Sequence, residues 1–267
     1  MEKGKVSVVV ALYNCERYID KCIESILNQT YQNFEIIICD DCSTDNSYKL
    51  AENWSKKDKR VIAIKNEENR KSAYTRNKCI EISTGEYIAI QDADDYSDIT
   101  RFEKQVDILN REQDMGFVSS SMYRVNENGI WDEIIAKKEY PSKKDFLKSS
   151  PFAHGAAMFR ANIIKEIGGY KVSENTVRTE DLDLFIRLCI EGYKGKNIFE
   201  PLYYYNENID AYLRKKYRDR IEGAKVRYIA YKELKLMPIG LLYVIKPLII
   251  GLIPRRLLYR IKKKRGV

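Results

Sequence analysis

Val6 to Leu12 is a β-branched, almost wholly apolar run. A stretch of that kind predicts a strand covered on both faces, as in a parallel sheet between helices. Ile19, Ile23, Ile26 and Leu27 then recur at helical spacing. The pattern repeats down the chain. Phe34 to Cys39 is a second apolar strand, followed by a helix through Trp54; Val61 to Ile64 is a third; Ala73 to Ile82 reads as a helix; Tyr87 to Ile90 is a fourth strand. Strands alternating with helices over the first hundred or so residues predict an α/β fold, a mainly parallel, Rossmann-like sheet flanked by helices. The second half is less regular. Phe117 to Met122 is a strand, Arg124 to Pro141 a hairpin turning at Asn128-Gly129, and Asn162 to Ile167 a short helix closed by Gly168-Gly169. Thr179 to Glu191 is a helix with Leu182, Phe185, Ile186, Cys189 and Ile190 on its apolar side, ending at Gly192. Tyr193 to Tyr205 is extended and aromatic, and residues 209–235 form a long charged helix.

Parallel strands deliver their C-terminal ends to one crevice, where ligands bind. Strand one ends at Leu12-Tyr13-Asn14, strand two at Asp40-Asp41, and strand four at Asp92, followed by Asp94 and Asp95. Two acidic strand ends facing one crevice suit a hard divalent cation that completes its shell with water and phosphate oxygens. The competing reading is a solvated acidic loop in which Asp98 caps the helix from Arg101 to Leu109 and Asp40-Asp41 cap the one after them. The same helix-start reading applies to Asp45. Neither a glycine-rich dinucleotide fingerprint nor a GxxxxGK[ST] loop occurs in the chain, so no phosphate-cradling glycine loop is expected.

The net charge of +8 matters for its location. From Leu236 onward there is no acid, but there are Lys246, Arg255, Arg256, Arg260, Lys262, Lys263, Lys264 and Arg265. Taking these eight from 47 Lys and Arg leaves 39, equal to the 39 Asp and Glu, so the body is neutral. A nucleic-acid binder spreads basic charge over a folded face, so none is expected as a partner. Cys39 and Cys42 form the only CxxC, and the sole histidine, His154, lies far off in sequence. The six cysteines therefore read as reduced and structural, in a cytosolic chain. The N-terminus has too short an apolar core and no small-x-small site for a secretion signal.

The segment VSVVVALYNCERYIDKCIESILNQTYQNFEIIICDDCSTDNS resembles, nearly position by position, the N-terminal half of a family 2 glycosyltransferase of the GT-A fold. RKSAYTRNKCIEISTGEYIAIQDADD is similar to its continuation, and GGYKVSENTVRTEDLDLFIRL to its acceptor-side motif. The resemblance covers about residues 5 to 205. It implies inverting transfer of a sugar from a nucleotide diphosphate sugar, a UDP-sugar, to a glycan or lipid-linked acceptor in bacterial surface polysaccharide synthesis. A divalent cation, Mn2+ or Mg2+, is implied with it. Carried over by position, Ala11, Tyr13 and Glu16 match the first nucleotide-binding turn, Asp41 the carboxylate reading the base, and Arg76 an arginine facing the nucleotide. Asp92 matches the ribose-side acid of the D-x-D and Asp94 the metal ligand, with Asp40 and Asp95 in support. In the Glu180-Asp181 pair Asp181 matches the base; its place in a helix's first turn favours the ionised form that proton abstraction needs. His154 is a candidate ligand of the metal or diphosphate, or else a structural imidazole. Two departures bear on donor preference: Cys42 stands for the usual glycine of DDGS, and Arg70-Lys71 for Gly-Leu.

These matches divide the chain into a GT-A domain, 1–208, and C-terminal helices, 209–267. The domain has a nucleotide-sugar-binding half, 1–98, and an acceptor-binding half, 99–208. Ile239 to Ile253 is apolar except for Lys246. As a helix it reaches about 22 Å, short of the roughly 30 Å hydrocarbon core, so it is expected to lie in an anionic membrane interface. The alternative is a C-terminal helix packed on the domain, with a solvated basic end. The expected location is the cytoplasmic face of the membrane. Two other functions fit parts of the pattern. A sugar nucleotidyltransferase would need a glycine- and arginine-rich loop where Ala11-Leu12-Tyr13-Asn14 stands. Against a non-catalytic, membrane-attached protein with a vestigial sugar-nucleotide site stand the intact Asp41, Asp94 and Asp181, residues that decay tends to strike first.

Overall fold

A computed structural model describes residues 1–173, 179–207 and 217–252. Strand β1 (Glu2–Leu12) is followed by α1 (Ile19–Leu27), β2 (Phe34–Asp40), α2 (Ser47–Lys57), β3 (Val61–Lys65), α3 (Lys71–Ile82) and β4 (Gly85–Asp92). The alternation read from the sequence is therefore the alternation observed. β1 pairs parallel with both β2 and β4, and β2 with β3. Val8 and Val10 join one apolar core with Ile19, Ile23 and Ile26 of α1, while Val9 joins the other with Cys79 and Ile80 of α3. Alternate side chains of one strand thus feed two helix layers, which is why the run has no polar side.

Short strand β5 (Tyr96–Ser97), α4 (Arg101–Arg111), β6 (Met115–Asn126), β7 (Gly129–Ile134), β8 (Met158–Arg160), α5 (Ala161–Glu166), α6 (Glu180–Ile190) and β9 (Lys194–Asn206) complete the sheet and its cover. Its order is β3-β2-β1-β4-β8-β6-β9-β5, with β7 paired to β6. β8 runs antiparallel to both β4 and β6, and β6 and β9 return to parallel. The hairpin turns where expected, before Gly129 at φ 103°. Gly168, Gly169 and Gly192 end their helices with φ of 74°, 64° and 88°, a region that suits glycine.

Helices α7 (Tyr217–Glu233) and α8 (Ile239–Leu252) close the described chain. Residues 209–216 of the expected long helix, and residues 253–267 of the basic tail, lie outside the described residues. None of the described helices is long and apolar enough to cross a membrane. All six cysteines are free, in keeping with reduced thiols; the Cys39 thiol reaches the Asn66 side-chain oxygen at 3.5 Å.

Candidate active site

The parallel register sets Leu12 opposite Asp40 and Ala11 between Cys39 and Asp92, so three strand ends come level. The loops that leave β1 and β2 are laced together. Asn14, at φ 51°, accepts the Thr44 N–H at 2.9 Å, and Glu16 accepts the Asn46 N–H at 3.0 Å. Asp45 returns the tie by accepting the Glu16 N–H at 3.2 Å and holds the start of α2 through the Ser47 N–H at 3.0 Å. Tyr13 is left exposed at this edge.

Asp40 and Asp41 do not cap α2. Asp41 is buried and accepts the Arg70 and Lys71 N–H groups at 2.7 and 2.8 Å and the Asn66 amide at 2.9 Å. It therefore fixes the entry to α3, where Lys71 takes a left-handed φ of 69°. Asp40 is fully buried, accepts the Ser43 N–H at 2.9 Å and leaves Oδ1 without a partner. Just after Asp41, Cys42 sits at φ 62°, a backbone conformation that suits glycine.

From that anchored end, α3 crosses to the other acids. Ser72 donates to Glu180, and Arg76 bridges Asp92 at 2.7 Å and Glu180 at 3.5 Å. Burial would push the Asp92 carboxyl up, but the Arg76 guanidinium and the charge of Arg101 hold it below the usual carboxylate range. The Asp92 N–H donates to the Tyr203 hydroxyl at 3.1 Å. Gly155 makes room for that phenol: a Cβ there would meet the Tyr203 oxygen at 2.6 Å and Asp92 Oδ2 at 3.1 Å.

The acidic loop after β4 is not evenly solvated. Asp94 is exposed, whereas Asp95 is 2% exposed, accepting the Asn206 N–H at 2.7 Å with Oδ1 and leaving Oδ2 without a partner. Burial first, then the charges of Asp94 and Asp92, hold the Asp95 carboxyl well above its ordinary value. Beneath the loop Arg101 is fully buried against neutral acceptors: Gln91, Ser97, Gln105 and the Ile90 and Ala157 carbonyls, at 2.8 to 3.3 Å. Burial lowers its guanidinium to about 10, still charged at neutral pH, so it puts a fixed positive charge under the acids.

Arg76, Asp92, Asp95, His154, Glu180 and Asp181 line one cleft of about 300 Å³, together with Met122, Gly155, Tyr203 and Tyr205. The structure thus brings together six of the residues read from the sequence. Ala11 adjoins them through its pairing with Asp92; Tyr13, Glu16, Asp40 and Asp41 lie at the β1 and β2 ends, and Asp94 on the exposed part of its loop. Burial raises the Asp181 carboxyl above its ordinary value, opposite to the effect expected from the helix start alone. His154 is neutral: burial and then Arg76 lower it to about 3, and its Nε2 meets the Tyr170 hydroxyl at 2.7 Å. Sequence reasoning missed Tyr203, Gly155 and Arg101. The glycine of HGAAMFR was the available signal, since glycine beside a strand often marks a close approach.

Among the described residues no cluster of three or more His, Cys, Asp or Glu could by itself hold a metal ion. The donor set does fit a cation completed by substrate. Asp94 is exposed beside the partnerless Oδ2 of Asp95, and ions such as Mg2+ are bound through one or two carboxylates plus phosphates and water.

The protein-family model "Glycosyl transferase family 2" matches residues 7–168. Among curated proteins, EpsE of Bacillus subtilis (strain 168), provisionally named a glycosyltransferase, is 38% identical over 98% of this chain and 94% of its own. WfaP of Escherichia coli, a UDP-Glc:alpha-D-GlcNAc-diphosphoundecaprenol beta-1,3-glucosyltransferase, is 30% identical over 83% of this chain and 84% of its own. Among solved structures, Staphylococcus aureus TarS 1–349 with UDP-GlcNAc has a TM-score of 0.72 at 18% identity, covering 93% of this chain and 71% of that one. The mannosyltransferase PcManGT of Pyrobaculum calidifontis with GDP-Man and Mn2+ gives 0.61 at 19%, over 98% and 79%. These two share the fold. With the family model spanning most of the chain and a relative matching nearly end to end, the chain belongs to glycosyl transferase family 2.

Proposed function

We propose that this chain is an inverting glycosyltransferase that moves a sugar from a UDP-sugar to a hydroxyl of a glycan or lipid-linked acceptor in surface polysaccharide synthesis. The observation that carries the reading is the cleft itself, which Asp181 of α6 lines together with Asp92 and Asp95, Arg76 bridging Asp92 to the neighbouring Glu180. Asp181 takes the proton from the acceptor hydroxyl. That oxygen bonds to the anomeric carbon as the bond to the diphosphate breaks on the opposite face, and the nucleoside diphosphate leaves. Burial raises Asp181, which makes it a stronger base than a solvated aspartate. A divalent cation, Mn2+ or Mg2+, would be held by Asp94 with Asp95 beside it and would neutralise charge on the diphosphate.

Donor binding falls to the β1 and β2 ends. Asp41 already accepts three hydrogen bonds, but a carboxylate offers about four acceptor sites, and one remains for a uracil imide N–H. Ala11, Tyr13 and Glu16 flank the base, and Arg76 keeps Asp92 ionised for the ribose. TarS bound to UDP-GlcNAc and WfaP with its UDP-Glc donor and diphosphoundecaprenol acceptor support a UDP-sugar and a lipid-linked acceptor; PcManGT with GDP-Man and Mn2+ supports the cation. We assign donor binding to residues 1–98, acceptor binding to 99–208, and attachment at the cytoplasmic membrane face to 209–267.

Calorimetric titration with UDP-sugars and GDP-sugars, with and without Mn2+, tests the reading. A UDP-sugar should bind with metal dependence, Asp94→Ala should abolish that dependence, and Asp181→Asn should keep binding while losing transfer. Absence of any nucleotide-sugar binding would overturn the assignment, and full transfer by Asp181→Asn would remove the base.

A further inference from the structure

Helix α8 is inside out for a helix on a water-facing surface. Its inner side presses on α7: Gly240 is so close to Tyr231 that a Cβ would come within 2.8 Å, and Gly251 would meet Arg220 at 2.6 Å and Tyr217 at 2.7 Å. Val244 between them is 7% exposed. The outer side is Ile239, Leu241, Leu242, Ile245, Ile249 and Leu252, exposed by 62, 42, 71, 40, 59 and 73%. At 3.6 residues per turn these six fall within an arc of about 160°. Lys246 is the one charged residue of the helix, at the margin of that arc. Single exposed leucines are ordinary, whereas a contiguous apolar face marks a surface that something covers.

Charge identifies the occupant. No acidic residue follows Glu233, and residues 253–267 hold seven Lys and Arg. A second copy would bring the same positive excess to the contact, whereas an anionic bilayer accepts both the apolar face and the basic run. The 14 residues of α8 reach about 21 Å, too short for the roughly 30 Å hydrocarbon core. The helix therefore lies along the surface and does not cross. We propose that the outer face of α8 is sunk at the headgroup–acyl boundary of an anionic bilayer.

The position has a consequence for the acceptor. Gly223 of α7 lies where a Cβ would be 3.7 Å from Thr179, the residue before Glu180 and Asp181. Helix α7, on which α8 packs, thus leans directly on the start of the helix that bears Asp181. A lipid-linked acceptor held in that bilayer would meet the site from its acceptor side. This consequence alone rests on the proposed transfer activity; lipid binding does not.

Flotation of the full chain with phosphatidylglycerol–phosphatidylcholine vesicles, against phosphatidylcholine alone, tests it. The wild type should float only with the anionic vesicles. The pair L242D and I249D, both at exposed positions, should abolish flotation, with helicity and UDP-dependent thermal stabilisation unchanged. Neutralising Lys262, Lys263 and Lys264 together to Gln should weaken binding by about a hundredfold, and L242W should gain a blue-shifted emission on vesicles. Flotation that survives L242D/I249D, or L242W emission that stays unshifted, would overturn burial of this face. A concentration-dependent dimer lost in L242D/I249D, with no flotation of the wild type, would overturn the bilayer in favour of a second copy. Loss of UDP binding with flotation intact would count against the proposed transferase and leave the membrane face standing.

Discussion

Replacing Arg76 by Met tests the electrostatics of the site most directly. The guanidinium is 10% exposed and sits between Asp92, 31% exposed, and Glu180, 12% exposed. Met keeps much of the length and apolar stem but leaves two carboxylates facing each other without a cation. Removing one partner of a fully buried pair costs about 3–5 kcal/mol. Here Asp92 keeps some solvent and the Glu180 contact is long, at 3.5 Å, so the expected loss is about 2–3 kcal/mol. In a chain of this size that corresponds to a fall in Tm of roughly 5–10 °C.

The sign with pH follows from Asp92. Arg76 holds its folded-state pKa below the ordinary value of 3.8, so the stability it contributes is present above that value. That stability is lost as pH falls through the lower folded-state pKa. The wild-type advantage over R76M should therefore be full at about pH 7 and shrink below about pH 4. Thermal melts of wild type, R76M, Asp92→Asn and the double variant at both pH values measure the difference and its coupling. An R76M melt within about 1 °C of wild type at neutral pH would refute the reasoning. So would a gap that does not close in acid, or effects of R76M and Asp92→Asn that simply add.

Gly155→Ala should cost about 1–3 kcal/mol in urea denaturation by driving a methyl group into Tyr203, and Tyr203→Phe should return part of it; a cost unchanged by the second substitution contradicts the packing. Because burial raises Asp181, the acid limb of kcat/KM should lie above the ordinary 3.8, with activity falling as pH drops through it. Asp181→Asn should lower kcat by about a hundredfold or more and erase the limb; a wild-type profile that stays flat to about pH 4 argues against this base. Cys42→Gly should raise stability by about 0.5–1 kcal/mol, since it relieves an L-residue at φ 62°, and a lower Tm would show that the thiol's packing outweighs the backbone cost.

What the sequence made legible is what local pattern controls. The β-branched run of β1 is buried on both faces, so its composition alone announced a covered strand, and polar residues at its end had to open on the crevice. The acids at Asp92, Asp94 and Asp95 were legible for the same reason. Arg101 was not. An arginine opening a helix reads as a solvent-facing charge, and only the fold brings Gln91, ten residues back, and the Ala157 carbonyl, 56 residues on, to its fork. The competing reading of Asp41 as a cap for α2, the helix just after it, does not hold, because its donors are the Arg70 and Lys71 N–H groups, 29 and 30 residues away. That partnership depends on a left-handed backbone at Lys71, which a lysine does not advertise.

The acidic loop shows why residue type alone cannot assign roles within D-A-D-D. Asp94 and Asp95 are neighbours of the same chemistry, yet one is exposed and the other 2% exposed. The difference comes from β9. β5 pairs antiparallel with it, setting Tyr96 against Tyr204, and the Asn206 N–H takes Asp95 Oδ1 from 111 residues away. Asp94 stands in the turn that the Asp95 N–H closes on the Asp92 carbonyl at 3.2 Å, and it stays exposed there. A strand about a hundred residues further along the chain thus decides which of two adjacent carboxylates is buried and which is exposed. Shortening the β9 end, or Asn206→Pro, which deletes that N–H, should leave the fold intact and disturb the acid loop first. In calorimetry that disturbance should appear as weakened metal-dependent donor binding with an unchanged Tm, and the reverse order of effects would show that β9 supports the fold and not the loop.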